Sequence, residues 1–136
     1  MIRAIVKDPL FLQKKAIEAK KEDKMIANDL QDTLNYHREA CLGLAANMIG
    51  ENKRIIIVSM GFIDLVMFNP KVISKDKPYQ TEESCLSLKG SRPTQRFEEI
   101  KVSYLDSNWK EKTLTLKGLA AQICQHEMDH LEGIII

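Results

Sequence analysis

Gln125-His126-Glu127-Met128-Asp129-His130-Leu131 is the stretch around which this chain is read. From Leu119 to Leu131 the residues recur with helical spacing, Leu119, Ile123 and Glu127 lying four apart. On such a helix His126 and His130 sit one above the other on one face, where a single metal ion can take a nitrogen from each. Glu127, one residue past the first histidine, can reach a water held by that metal and act as its general base. A metal supplies what a hydrolase lacks at neutral pH: it lowers the pKa of a bound water and polarises a carbonyl oxygen. The chain has three histidines in all, so H-E-x-x-H is a poor candidate for accident. His37 has no such company and reads as a helix-surface or core-edge histidine.

Working outward, Met25 to Ala40 reads as an amphipathic helix, with Ile26, Leu30 and Leu34 four apart and Gly43 as its stop. Residues 8–24 are polar and predict a loop or short helix on the surface. Leu42 to Gly50 is apolar, rich in small residues, and too short and glycine-bounded for a helix. Arg54 to Val58 predicts a buried strand, and Leu65 to Phe68 a second, stopped by Asn69-Pro70, with Lys71 to Ser74 as a continuation past the proline. Thr81 to Leu88 is read as a loop or edge segment. Ile100 to Leu105 and Lys112 to Leu116 both alternate, and Asp106-Ser107-Asn108 between them makes the turn of an antiparallel hairpin. The sum is an α+β class, with small antiparallel or mixed sheets packed around a central C-terminal HExxH helix and a second helix nearer the N-terminus.

The bulk numbers agree. A length of 136 residues fits one domain, 1–136, with a real core and no disulfide staples. Apolar residues are 44% and charged residues 29%, the balance of a soluble globular chain. Twenty basic and 19 acidic residues leave a net charge of +1, which argues against a nucleic-acid surface. Lys14-Lys15 and Lys20-Lys21 are interleaved with Glu18, Glu22 and Asp23 and read as a solvated face. No apolar run approaches a membrane span, and the first residues carry no signal-peptide pattern, so the expected location is cytoplasmic. Cys41, Cys85 and Cys124 are an odd count, which argues against a disulfide framework in that compartment.

Catalytic zinc-type sites use three protein ligands and leave one position for water. Few residues follow His130, so the third ligand lies upstream, among the cysteines and carboxylates. Cys124 lies two residues before His126, about 200° around the helix, and is expected in the core. Cys85, in the polar segment Glu82-Glu83-Ser84-Cys85-Leu86-Ser87, is favoured over Cys41 because a thiolate needs a partly exposed setting. A Cys-His-His set suits Fe(II), Zn or Ni.

Three segments in this order then resemble the peptide deformylase family. Cys41-Leu42-Gly43-Leu44-Ala45-Ala46-Asn47-Met48 is similar to its Gly-hydrophobic-Gly-hydrophobic-Ala-Ala-x-Gln motif. Glu83-Ser84-Cys85-Leu86-Ser87 is similar to Glu-Gly-Cys-Leu-Ser, and Gln125 to Leu131 to Gln-His-Glu-x-Asp-His-Leu. The resemblance runs from about Met25 onward. It implies an enzyme that removes the formyl group from the N-terminal methionine of new proteins. Cys85, His126 and His130 would hold one divalent metal ion, natively Fe(II), with Zn or Ni as alternatives. Glu127 would be general base and proton shuttle, and the Leu86 N–H would donate to the formyl oxygen. Leu42, Gly43, Leu86, Leu119, Ile123 and the His126 ring would surround the substrate methionine. Arg96 stands where the family often has an arginine near the substrate strand, or is simply solvated.

The partners implied are N-formylmethionyl peptides of nascent chains, with neither nucleic acid nor membrane bound directly. Ribosome proximity fits that role, although a docking tail is not expected, since the chain stops at Ile134-Ile135-Ile136. Those isoleucines are expected to pair into a sheet or pack onto a neighbour. Three motif positions depart from the family: Cys41 and Ser84 stand for glycines, and Met48 for the glutamine whose amide would donate to the substrate carbonyl. Methionine has no N–H to give, and loss of one oxyanion donor costs about 10²–10³ in rate. Two alternatives therefore stand beside an active deformylase: a deformylase-like protein that binds formylated peptides with weak turnover, and an amidase or metalloprotease with another substrate.

Overall fold

The computed structural model describes residues 1–135. In chain order its elements are α1 (Pro9–Leu12), α2 (Lys24–Tyr36), β1 (Gly43–Ala45), β2 (Ile55–Ser59), β3 (Asp64–Cys85), β4 (Leu88–Leu105), β5 (Glu111–Lys117) and α3 (Gly118–Leu131). Single 3₁₀ turns cover Lys21–Asp23 and Ala46–Ile49. The α+β class holds, with the strands joined in one antiparallel sheet of order β1-β2-β3-β4-β5.

All five residues of β2 are buried, so both of its faces are covered, and α2 and α3 are the helices that pack on it. α2 turns Ile26, Leu30, Thr33 and Leu34 inward, the stripe its spacing predicts. It ends at Tyr36, short of Ala40, and His37 caps it at the edge of the core. The core gathers Leu30, Leu34, Leu44, Ile55, Ile56, Ile57, Val58, Met67, Phe68, Ile100, Val102 and Leu131. Cys124 is fully buried among them, as its place on the helix predicts. No helix among the described residues is long and apolar enough to cross a membrane.

Asn69-Pro70 does not stop the second strand. Asn69 takes a left-handed φ of 52°, and its side chain accepts from the Ala19 N–H at 2.7 Å and donates to the Ala19 carbonyl at 3.0 Å. Register shifts there, between Phe68 and Lys71, where the ladder does not need the N–H that proline lacks. β3 then runs on to Cys85, so Thr81 to Cys85 is strand and not loop. Beyond Phe68 it pairs only with β4 and forms an edge. Exposed Lys71, Lys75, Lys77 and Pro78 keep that edge from pairing further.

α3 stops one turn after the second histidine. Gly133, at φ 77°, donates to the His130 carbonyl at 3.1 Å, and Ile134 donates to the Asp129 carbonyl at 3.0 Å. This is a glycine-terminated cap that satisfies the last free carbonyls of the helix. The sheet pairing expected of the terminal isoleucines is not found at Ile134 and Ile135, which join no strand; Ile134 is exposed, and its N–H is committed to Asp129. Ile136 lies outside the described residues.

Candidate metal centre and active site

Two elements bring the donors together. α3 presents His126 and His130 one turn apart, with their Nε2 atoms 3.1 Å from each other. β3 delivers Cys85 at its last residue, with Sγ 3.4 Å from His130 Nε2. One ligand atom from each of the three lies within 4.8 Å of the others. Cys41 also faces this region but stands outside the cluster. Burial, followed by the Glu127 charge, pushes its thiol up to about 11.

His126 is aimed by a buried carboxylate. Glu83 Oε1 lies 2.7 Å from His126 Nδ1. Glu83 also accepts from Arg96 Nε at 2.9 Å, Arg96 Nη2 at 2.7 Å and Gln122 Nε2 at 2.9 Å. Burial alone would raise its pKa, but the bonds from His126, Arg96 and Gln122 hold it down at about 2. A carboxylate only accepts, so Nδ1 of His126 carries the proton and Nε2 keeps its lone pair for a ligand. Arg96 is 4% exposed and reaches on to Asp129 Oδ2 at 2.7 Å. The solvated alternative for Arg96 is therefore wrong: two carboxylates hold it inside.

The residues present fit a metal ion. His126 Nε2 and His130 Nε2 face each other, and two imidazoles in contact cannot both carry a proton there. Burial pulls both rings down. Bonds to Cys85 and Glu83 outweigh burial for His126 and push it up, while the His126 charge adds to burial and pushes His130 down. A metal ion held by both Nε2 atoms would take their lone pairs in place of that proton. Glu127 Oε1 is buried with no partner among the described residues. Burial pushes its carboxyl up to about 7.

A cavity of about 410 Å³ opens beside these groups. Leu42, Gly43, Leu86, Leu119, Ile123 and His126 line it, the residues the sequence nominates for a substrate side chain. Leu42 and Leu119 are partly exposed at its rim. Gly43 is required by close approach: a Cβ there would stand 2.6 Å from Ile123 Cγ2 and 3.1 Å from Glu127 Oε2.

A family model described as polypeptide deformylase matches residues 2–136. The chain belongs to the peptide deformylase family. It is 55% identical over 136 residues to a peptide deformylase of Clostridium beijerinckii, with both chains covered in full. It is 37% identical over 142 residues to one from Dictyoglomus thermophilum, covering all of this chain and 91% of that one. Among solved structures, a peptide deformylase from Legionella pneumophila matches with a TM-score of 0.89 at 32% identity, over 98% of this chain and 82% of that one. A class I type b peptide deformylase from Acinetobacter baumannii, solved with Met-Ala-Ser bound, matches with a TM-score of 0.89 at 26% identity, over 99% of this chain and 97% of that one. Peptide deformylases are metal-dependent hydrolases, and the Cys85, His126 and His130 cluster fits their metal site.

Against the deformylase motifs, Met48 is the departure with chemical weight. It is 2% exposed, lines the cavity, and its Sδ accepts from the Ala45 N–H at 3.5 Å. Four further residues of this deformylase site carry weight that the sequence reading did not give them. Glu83 aims His126, and Gln122 supports Glu83 from the cavity wall. Gln125 donates to the Phe97 carbonyl and accepts from the Phe97 N–H, both at 2.8 Å, which pins α3 to β4. Asn47 Nδ2 donates to the His130 carbonyl at 2.7 Å, tying the 3₁₀ turn to the same helix. Helical spacing gave one available signal: Gln122 lies four residues before His126, on the face already assigned to the site.

Proposed function

We propose that this chain is a single catalytic domain, residues 1–136, that removes the N-formyl group from the N-terminal methionine of newly made proteins in the cytoplasm. The observation that carries the reading is the convergence of Cys85, His126 and His130 beside the partnerless, buried Oε1 of Glu127, at the edge of a cavity. Those three would hold one divalent ion, Fe(II) natively with Zn or Ni as alternatives, which would supply an acidified water and a Lewis acid for the formyl oxygen.

The chain's own groups do the rest. Glu127 takes a proton from the attacking water and returns it to the methionine nitrogen as the C–N bond breaks, releasing formate and a free amine. A carboxyl raised to about 7 exchanges protons readily near neutral pH. The Leu86 N–H donates to the formyl oxygen as charge develops on it. Leu42, Gly43, Leu86, Leu119, Ile123 and the His126 ring enclose the methionine side chain and exclude water. Glu83 and Arg96 hold the His126 ring in place throughout.

The test is formate release from formyl-Met-Ala-Ser by anaerobically prepared, Fe(II)-loaded protein. Turnover is expected, with the acetylated peptide untouched, and Glu127→Ala should lower kcat by at least about 10². Equal turnover of the acetylated peptide would point to a general amidase. A second reading is favoured by Met48 alone: a protein that keeps the site but chiefly binds formylated peptides. No formate from the parent, with recovery in Met48→Gln, would select that reading.

A further inference from the structure

Gln122 lines the cavity from α3, one turn before His126. It is half-buried. Among the described residues its carboxamide makes one hydrogen bond, from Nε2 to Glu83 Oε2 at 2.9 Å. Glu83 can only accept, because two nitrogens of Arg96 already donate to it, so the NH₂ end of Gln122 is the end that faces Glu83. Oε1 and the second N–H then have no partner among the described residues, in a cavity lined by Leu42, Leu119 and Ile123 as well as by the polar groups of the site. A side chain that fills the cavity strips water from them, and a dried polar group without a partner carries a penalty.

We propose that Gln122 is a specificity-determining residue for the first side chain of the substrate, favouring one that brings a hydrogen-bonding atom, the methionine thioether included, over a hydrocarbon of the same shape. This rests on the deformylase reading of the cavity. Thioether sulfur is a weak acceptor, and this protein already makes such a contact, between the Ala45 N–H and Met48 Sδ at 3.5 Å. Norleucine replaces the sulfur with a methylene, accepts nothing, and leaves the second Gln122 N–H dry and without a partner.

The experiment compares kcat/KM for formyl-Met-Ala-Ser and formyl-norleucyl-Ala-Ser, using Fe(II)-loaded parent, Gln122→Leu and Gln122→Met. Circular dichroism checks that each variant is folded. Whatever Gln122 does for Glu83 affects both peptides alike and cancels in their ratio. The parent should favour methionine by about fivefold, and both substitutions should bring the ratio close to one. A parent ratio of one, or a variant that keeps the parent's ratio, overturns the proposal while leaving the deformylase reading intact. If the parent turns over neither peptide, the deformylase reading falls. Calorimetric binding of Met-Ala-Ser against norleucyl-Ala-Ser then decides the specificity claim by the same ratio.

Discussion

Glu83 is the residue whose loss should be felt most without touching substrate. It accepts hydrogen bonds from Arg96 and Gln122 while gripping His126 Nδ1 at 2.7 Å. Partners of this kind fix the ring and tautomer of a metal-binding histidine, and removing one weakens metal affinity about 10–100-fold. Glu83→Ala should therefore lose metal to a chelator at correspondingly lower concentration. A chelator titration that superimposes on the parent's would mean that Glu83 does not position His126. Gly43 matters for packing as well as for the cavity it lines. An added methyl meets Ile123 Cγ2 at 2.6 Å and the Ile57 carbonyl at 3.1 Å, so Gly43→Ala should cost about 1–3 kcal/mol of stability, read as a lower urea midpoint. That Gly43 belongs to the site was readable from the motif, although its close contact with Ile123 shows only in the fold. The role of Glu83 was not: it depends on β3 carrying it to a helix that begins 35 residues later in the chain.

At the scale of elements, α3 was legible because its period is a local signal. What fastens it is not local. Gln125 reads as one more polar helix residue, yet it bonds both backbone groups of Phe97 on β4. Gln125→Ala leaves those groups without their partner and should destabilise the fold by about 1–3 kcal/mol, seen in denaturant unfolding before any loss of metal. The Asn69-Pro70 stop signal failed for the same reason: a contact with Ala19, fifty residues away, overrides local turn chemistry. The end of α2 is tied to the start of β3 by Arg38 and Asp64. The hydrogen bond from Arg38 holds the Asp64 carboxyl at about 2, against an ordinary 3.8. A carboxylate lowered on folding adds stability above its unfolded pKa, and that stability is lost as pH falls through the folded value. With Arg38 38% exposed, the contribution is about 1 kcal/mol after solvent screening. Urea midpoints measured between about pH 5 and pH 2 should fall less steeply for Asp64→Asn than for the parent.

At the scale of the whole molecule, one five-stranded sheet with α2 and α3 packed on it holds three donor atoms within 4.8 Å of each other. Cys85 was favoured over Cys41 by its polar setting and joined the ligand set through the family resemblance, while the fold class and the helix with His126 and His130 could be read from spacing. The single continuous sheet and the carboxylate, amide and guanidinium behind His126 could not, since they arise from pairings distant in the chain. Because the donors come from α3 and β3, a bound ion cross-links two elements and stabilises the native state by mass action. Chelation should lower the thermal midpoint of the parent, and it should change that of Cys85→Ser much less. The most direct test replaces the native ion with Co(II) under anaerobic conditions and records its visible and near-ultraviolet absorption. One equivalent should bind to the parent and to Cys41→Ser with a thiolate-to-cobalt charge-transfer band, and that band should vanish in Cys85→Ser. A band that survives Cys85→Ser, or that is lost in Cys41→Ser instead, would contradict the ligand set of Cys85, His126 and His130.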